Sequence, residues 1–357
     1  MLHNVINKYF PNTEVLSVKP FGNGHINTTY KLDLANTDNS YILQRINIDV
    51  FTTPEDIAET HLQLQKTICG ENNPIEIADL VLTADDKKLY KDPEGGVWRM
   101  TSFINDSYTI EVAEHAWQAK EAGNAFGWFA KTCDQLDPAK FREPIKDFHR
   151  LSFRLSQLND AIKQDKAGRL NGAKDVVDFY KNREKTFTHV EDLVDQQKIP
   201  WRIVHNDTKI NNLLFKGQHA AAVIDLDTVG PGILFYDYGD ALRTSANTAE
   251  EDEKNLTKVA FNMEAFTAFT NGYLGQVKDI LNEYEEEYMY LAPFLMTYII
   301  GIRFLADYLN GDVYFKTAYE EHNMDRAKVQ KALIASMESK EDEIKAIINQ
   351  AKNTISV

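Results

Sequence analysis

Residues 201–228 read as strand, loop, strand, turn, strand, and this pattern constrains the chain more than any other segment. Trp201 to Val204 leads in, Asn212 to Phe215 leads out, and a turn follows at Lys216-Gly217. Ala220 to Ile224 is an apolar run with the length of a buried strand. A hairpin closed at that turn returns Asp225 to the side of the loop at 205–212, His-Asn-Asp-Thr-Lys-Ile-Asn-Asn.

The spacing H-x-D-x-x-x-x-N suits phosphoryl transfer, because one group must reach the hydroxyl being phosphorylated and another must turn back to a metal ion. Asp207 and Asn212 hold those two places. Lys209 stands where a cation can meet the γ-phosphate oxygens of ATP as negative charge shifts during transfer. Asp225 then serves as the second metal ligand, and a carboxylate with one amide oxygen suits Mg2+, which takes its remaining ligands from water and the nucleotide. Asp227, two residues on, can assist metal or substrate. A lone H-x-D is ordinarily a turn with a capped Asp; the coincidence of Lys209, Asn212 and a strand-borne Asp225 argues against that here.

With 357 residues, 43% hydrophobic and 26% charged, the chain is long enough for two domains with their own cores. The formal charge of −15 opposes binding to nucleic acid or to an anionic membrane, both of which select basic surfaces. Nothing in the sequence calls for an obligate protein partner. Cys69 and Cys133 are the only cysteines, so there is neither a disulfide framework nor a thiolate zinc set. Met1 to Phe10 lacks a signal-peptide core, and a reducing, cytoplasmic location is expected. Tyr288 to Ile302 is nearly all apolar but shorter than the roughly 20 residues of a membrane span, and reads as a buried core helix.

Two lobes are expected. Residues 1–104 are strand-rich, with Tyr30 to Leu34, Tyr41 to Ile46 and Val97 to Met100 as strands and Pro54 to Ile68 as a helix. A hinge at 101–107 leads into residues 105–357, where helical periodicity dominates: Glu111 to Cys133, a helix around Phe148 to Ile162, Asp175 to Asp195 and Asp325 to Asn349. In the small lobe, Gly22, Asn23 and Gly24 form a glycine turn between two strands. Such a turn can bring backbone N–H groups onto phosphates because glycine leaves room for close approach. A GxG between strands is more often a plain hairpin turn, and only its place ahead of the 205–212 loop favours the nucleotide.

Together these features resemble the aminoglycoside phosphotransferase and choline kinase branch of the protein-kinase-like fold. The resemblance implies an α+β, bilobal architecture, with a small antiparallel β lobe and a larger, mainly helical lobe, that phosphorylates small molecules with ATP and magnesium. Asn206 stands where regulated protein kinases carry an Arg, and no long activation segment or A-P-E motif follows Asp225. The segments at 22–30, 41–47, 205–212, 224–228 and 303–315 are similar to members of that branch that phosphorylate N-acetylhexosamines at the anomeric hydroxyl. Carried over by that resemblance, Asp207 is the base, Asn212 and Asp225 hold magnesium, and Asp227, Thr228 and Arg243 line the floor of the amino-sugar site. Arg303 and Tyr314 supply hydrogen bonds and an aromatic wall, and His25 reaches the sugar from the glycine turn.

Plainer readings stand beside these. Arg303 and Asp307 are four apart on one helix and also fit a surface ion pair; Tyr314 also fits core packing; Asp237 fits a brace for the catalytic loop. One departure is clear: kinase-like enzymes place a Lys on the third strand for the α and β phosphates, and here that position is Gln44. Arg45 is adjacent but faces the other way by strand alternation, and Glu59 is an acidic candidate with no cation to pair. The alternatives are a kinase for choline, a thiosugar or an aminoglycoside, whose cationic members Arg303 and Arg243 would repel, and a nucleotide-binding pseudokinase.

Overall fold

The computed structural model describes residues 2–22, 26–35, 37, 39–68 and 73–353. The small lobe comprises α1 (Leu2–Tyr9), β1 (Val15–Pro20), β2 (Thr28–Leu34), β3 (Ser40–Ile46), α2 (Pro54–Ile68), β4 (Leu80–Val81), β5 (Tyr90–Lys91) and β6 (Val97–Ser102). The strands form one antiparallel sheet in the order β1-β2-β3-β6-β4, with β5 also on β6. Strand alternation sends Leu32, Leu43, Trp98 and Met100 to one face, where Val5, Ile6 and Tyr9 of α1 cover them. Thr29, Gln44 and Arg99 are in register across three strands and share the opposite face.

The larger lobe begins with α3 (Ala116–Cys133), α4 (Leu151–Gln164), α5 (Leu170–Lys181) and α6 (Glu184–Asp195). Next come β7 (Arg202–Val204), the hairpin β8 (Leu213–Lys216) and β9 (His219–Val223), and β10 (Gly230–Gly232), which pairs with β7. The chain finishes with α7 (Leu234–Ser245), α8 (Met263–Val277), α9 (Glu283–Tyr288), α10 (Ala292–Asn310), α11 (His322–Glu338) and α12 (Glu341–Asn353). The expected hairpin is present, with Gly217 in the left-handed region at its turn, φ +59°. The apolar stretch 288–302 runs from the end of α9 through a short 3-10 turn at Met289–Leu291 into α10, whose residues Ala292 to Leu309 are all buried in the lobe, so its main part is a core helix. α3 and α8 cross closely because Gly123 has no side chain: a Cβ there would lie 2.2 Å from the Phe269 carbonyl oxygen.

Three helical expectations change. The helix expected from Glu111 starts at Ala116, because the Gln118 side chain accepts the N–H groups of Glu114 (2.7 Å) and His115 (2.9 Å) and fixes the first turn. The stretch 175–195 is two helices, α5 and α6. The break at Asn182-Arg183 lets Val176 and Tyr180 on one, and Phe187 and Val190 on the other, all reach the core. The last helix is likewise divided at Ser339-Lys340, where the Lys340 ammonium donates to the Phe261 carbonyl at 2.6 Å.

Candidate active site

The loop after β7 is held from beneath by α7. Asp237 accepts the backbone N–H groups of His205 (2.8 Å) and Asn206 (2.7 Å), and the Thr208 hydroxyl donates to its carbonyl (2.6 Å). Burial lifts the Asp237 carboxyl to about 6. The His205 ring sits between Phe126 and Phe129, each 5.8 Å away, with Nε2 3.0 Å from the Ile224 carbonyl. Asn206 has φ +64° and Asp225 φ +58°; Asn and Asp tolerate this left-handed backbone best among non-glycine residues. Asn206 donates to the Thr228 carbonyl (3.0 Å) and the Thr228 hydroxyl to the His205 carbonyl (2.8 Å), so the 205–212 loop and the segment after β9 are tied edge to edge.

Within that frame Asp207, Lys209, Asn212 and Asp225 converge. The Lys209 ammonium lies 3.0 Å from Asp207 Oδ1. Burial raises the Asp207 pKa, but Lys209 outweighs it and holds the carboxyl below its ordinary range, while Asp207 raises Lys209 in turn. Asn212 Nδ2 donates to the Asp207 carbonyl (2.8 Å) and to its Oδ2 (3.1 Å), which leaves Asn212 Oδ1 as an acceptor for a cation. Asp225 opens onto the cleft between the lobes. Desolvation of the carboxyl, then the neighbouring Asp227 and Asp207 carboxylates, push it up to about 7. Asp225, whose ionisation is opposed by its neighbours, suits a divalent cation: Asn212 and Asp225 would hold magnesium, which would supply charge to offset the phosphate oxygens.

Asp227 departs from expectation. It is 1% exposed and its two oxygens are engaged, one by Arg99 of β6 and the other by Asn27 Nδ2 at 2.7 Å. It is therefore a bridge between the lobes rather than floor for a sugar. Arg99 went unnoticed in the sequence. Its Nε and Nη2 donate to Gln44 Oε1 at 2.8 and 2.6 Å, so the glutamine on the third strand holds a cation borrowed from the next strand. The signal was available in the strand register, since Gln44 and Arg99 are direct partners. Arg45 faces away, its Nε on the opposite side of the sheet beside Asp92 and Gly96, and Glu59 pairs with Lys88.

The expected acceptor residues divide. Arg303 is 9% exposed, ringed by Phe148, Tyr314 and Phe315 at 5.1, 5.8 and 5.5 Å, and has no carboxylate partner among the described ion pairs. Burial holds its pKa below the usual arginine range. Asp307 does not pair with Arg303. It accepts the backbone N–H groups of Val313 (2.9 Å), Tyr314 (2.8 Å) and Phe315 (2.9 Å), fixing the loop that carries Tyr314 and Phe315. Tyr314 is 63% exposed, which rules out core packing.

Arg243 is not free for a sugar, because it is buried against Asp240 and Glu251, both at 2.9 Å. Its pKa is raised, since those two carboxylates outweigh burial. Thr228 donates its hydroxyl to the His205 carbonyl and so ties the two loops together. Gly22 begins the glycine turn with φ +76°, while Asn23, Gly24 and His25 lie outside the described residues.

A β lobe over a helical lobe, with this loop between them, defines a kinase-like phosphotransferase fold. The model of the phosphotransferase enzyme family matches residues 17–269, and the chain belongs to that family. Among solved structures, an aminoglycoside phosphotransferase from Alicyclobacillus acidocaldarius is similar at 11% identity and TM-score 0.63, with 99% of this chain and 96% of that one covered. A microcompartment-associated aminopropanol kinase is similar at 14% identity and TM-score 0.58 (96% and 98% covered). A Plasmodium vivax ethanolamine kinase is similar at 15% identity and TM-score 0.55 (92% and 86% covered).

Proposed function

We propose that this protein transfers the γ-phosphoryl group of ATP, with magnesium, to the anomeric hydroxyl of an N-acetylhexosamine, giving the sugar 1-phosphate. The observation that carries the acceptor class is Arg303, a buried guanidinium with aromatic neighbours and no described carboxylate partner. A fixed cation there favours an oxygen-rich, uncharged acceptor and repels the ammonium groups of acceptors such as those named for the aminopropanol and ethanolamine kinases. ATP is supported by the family and by a similar aminoglycoside phosphotransferase with ADP bound.

In this reading Asp207 accepts the proton of the acceptor hydroxyl and aligns its oxygen for in-line attack. Lys209 keeps Asp207 ionised at neutral pH and offers charge to the γ-phosphate oxygens. An anomeric hydroxyl is more acidic than an ordinary sugar alcohol, so positioning carries much of the acceleration. Asp237 and Thr228 keep the loop from moving, and Tyr314 and Phe315 wall the acceptor against water.

The test is magnesium-dependent ADP release over a panel of N-acetylglucosamine, N-acetylgalactosamine, glucose, choline, ethanolamine and an aminoglycoside. Turnover led by the N-acetylhexosamines is expected. Turnover confined to the ammonium-bearing acceptors overturns the acceptor reading. Nucleotide binding without turnover on any acceptor leaves a nucleotide-binding module instead.

A further inference from the structure

Gln44 raises a question the catalytic loop does not answer, namely which cation of the small lobe faces the nucleotide phosphates. We propose that Arg99 is that phosphate-binding residue, presented by Gln44 and held ready by Asp227. The inference rests on the ATP-dependent reading above.

Four observations carry it. Arg99 and Gln44 are register partners on the cleft face of the sheet, and the guanidinium donates twice to the glutamine oxygen. Nη1 pairs with Asp227, two residues from the candidate metal ligand Asp225, so the charge sits where the small lobe meets the metal segment. Asn27, which follows the glycine turn, holds the other Asp227 oxygen at 2.7 Å and the Asn47 N–H at 3.0 Å; turn, sheet and metal segment therefore converge on one carboxylate. Finally, the nearest other cations lie apart from that point: Arg45 is behind the sheet near Asp92, Lys31 rests on the Phe103 ring at 3.8 Å, and Lys19, in register with Lys31, is out on the edge strand β1.

A guanidinium has five N–H donors, and the described bonds to Gln44 and Asp227 use three. The rest suit phosphate oxygens, which match the planar fork better than they match an ammonium. Gln44 accounts for the missing lysine: a neutral acceptor presents the arginine without competing for its charge. Asp227 keeps the guanidinium paired until the anionic triphosphate arrives.

The experiment compares binding of ATP with magnesium against binding of adenosine, by calorimetry, in wild type, Arg99→Lys and the doubly neutral Arg99→Met/Asp227→Asn. The double variant leaves no unpaired buried charge and so protects folding; cooperative thermal unfolding is checked for each protein. The expected result is ATP binding weakened by about 30-fold in the double variant, and less in Arg99→Lys, with adenosine affinity unchanged, the loss anticipated for charge-assisted contacts. A folded variant that keeps the wild-type ratio of ATP to adenosine affinity overturns the proposal and makes Arg99 an interlobe brace only. A wild-type protein that does not prefer ATP to adenosine defeats the kinase reading itself.

Discussion

Asp307→Ala separates anchoring of the acceptor wall from general stability. Asp307 is 5% exposed and accepts four hydrogen bonds, from the N–H groups of Val313, Tyr314 and Phe315 and from Asn323 Nδ2, all at 2.8–2.9 Å. The freed loop N–H groups can reach water, because Val313 and Tyr314 are 77% and 63% exposed, and Asn323 keeps its bond to Asp312. Each bond then contributes about 1 kcal/mol rather than a full burial penalty, for a loss of about 4 kcal/mol. At about 2.1 cal/mol/K per residue the unfolding entropy of this chain is about 0.75 kcal/mol/K, so Tm falls by about 5 °C. The functional consequence is sharper than the thermal one. A released 313–315 loop takes the aromatic wall away from Arg303, so acceptor KM rises while KM for ATP does not. Asp307→Asn keeps one carbonyl oxygen and falls between alanine and wild type in both readouts. Calorimetry and initial-rate kinetics with each substrate varied would measure this. Loss of Tm with unchanged acceptor KM would refute the link between the loop and the acceptor.

Asp207→Asn lowers turnover by roughly 10²- to 10⁴-fold with nucleotide affinity preserved, measured by ADP release and calorimetry. Arg303→Met removes a buried charge, so it lowers kcat/KM for an N-acetylhexosamine by about tenfold or more without lowering Tm; equal loss on every acceptor would contradict the specificity role. Asp225→Asn raises the magnesium concentration needed for half-maximal turnover, read from a metal titration. Burial lowers the pKa of His61 and His149 from 6.5 to about 4. Between these values the unfolded chain binds protons that the folded one does not, so this stabilisation is complete above the unfolded pKa and is lost as pH falls toward 4. From pH 7 to pH 5 the pair removes about 4 kcal/mol of stability, which urea midpoints at the two pH values would measure. The His149 ring contacts the Asn206 carbonyl, so His149→Gln is expected to flatten this pH dependence.

The segment 201–228 was legible because its chemistry is local: Asn212 follows Asp207 by five positions, and a tight turn alone returns Asp225. The bilobal α+β organisation followed from the change of period near residue 104, and α2 begins and ends at the expected residues. What escaped is long-range. The partnership of Arg99 with Gln44 spans 55 positions and that with Asp227 spans 128, and only sheet register reveals the first. Arg243 carries a group that suits a sugar, but a sequence cannot tell that two carboxylates have already engaged it. The Arg303 and Asp307 spacing also allowed an ion pair; three loop N–H groups compete better for that carboxylate than one guanidinium ringed by aromatics. The break between α5 and α6 lies at Asn182-Arg183, with neither Gly nor Pro to mark it.

The central claim is phosphorylation at the anomeric oxygen, and a phosphorus NMR spectrum of the protein with ATP, magnesium and N-acetylglucosamine or N-acetylgalactosamine tests it most directly. The account predicts a new phosphomonoester resonance coupled to the anomeric proton, lost in Asp207→Asn. A phosphomonoester coupled to any other sugar proton, or no product from either sugar, would contradict it.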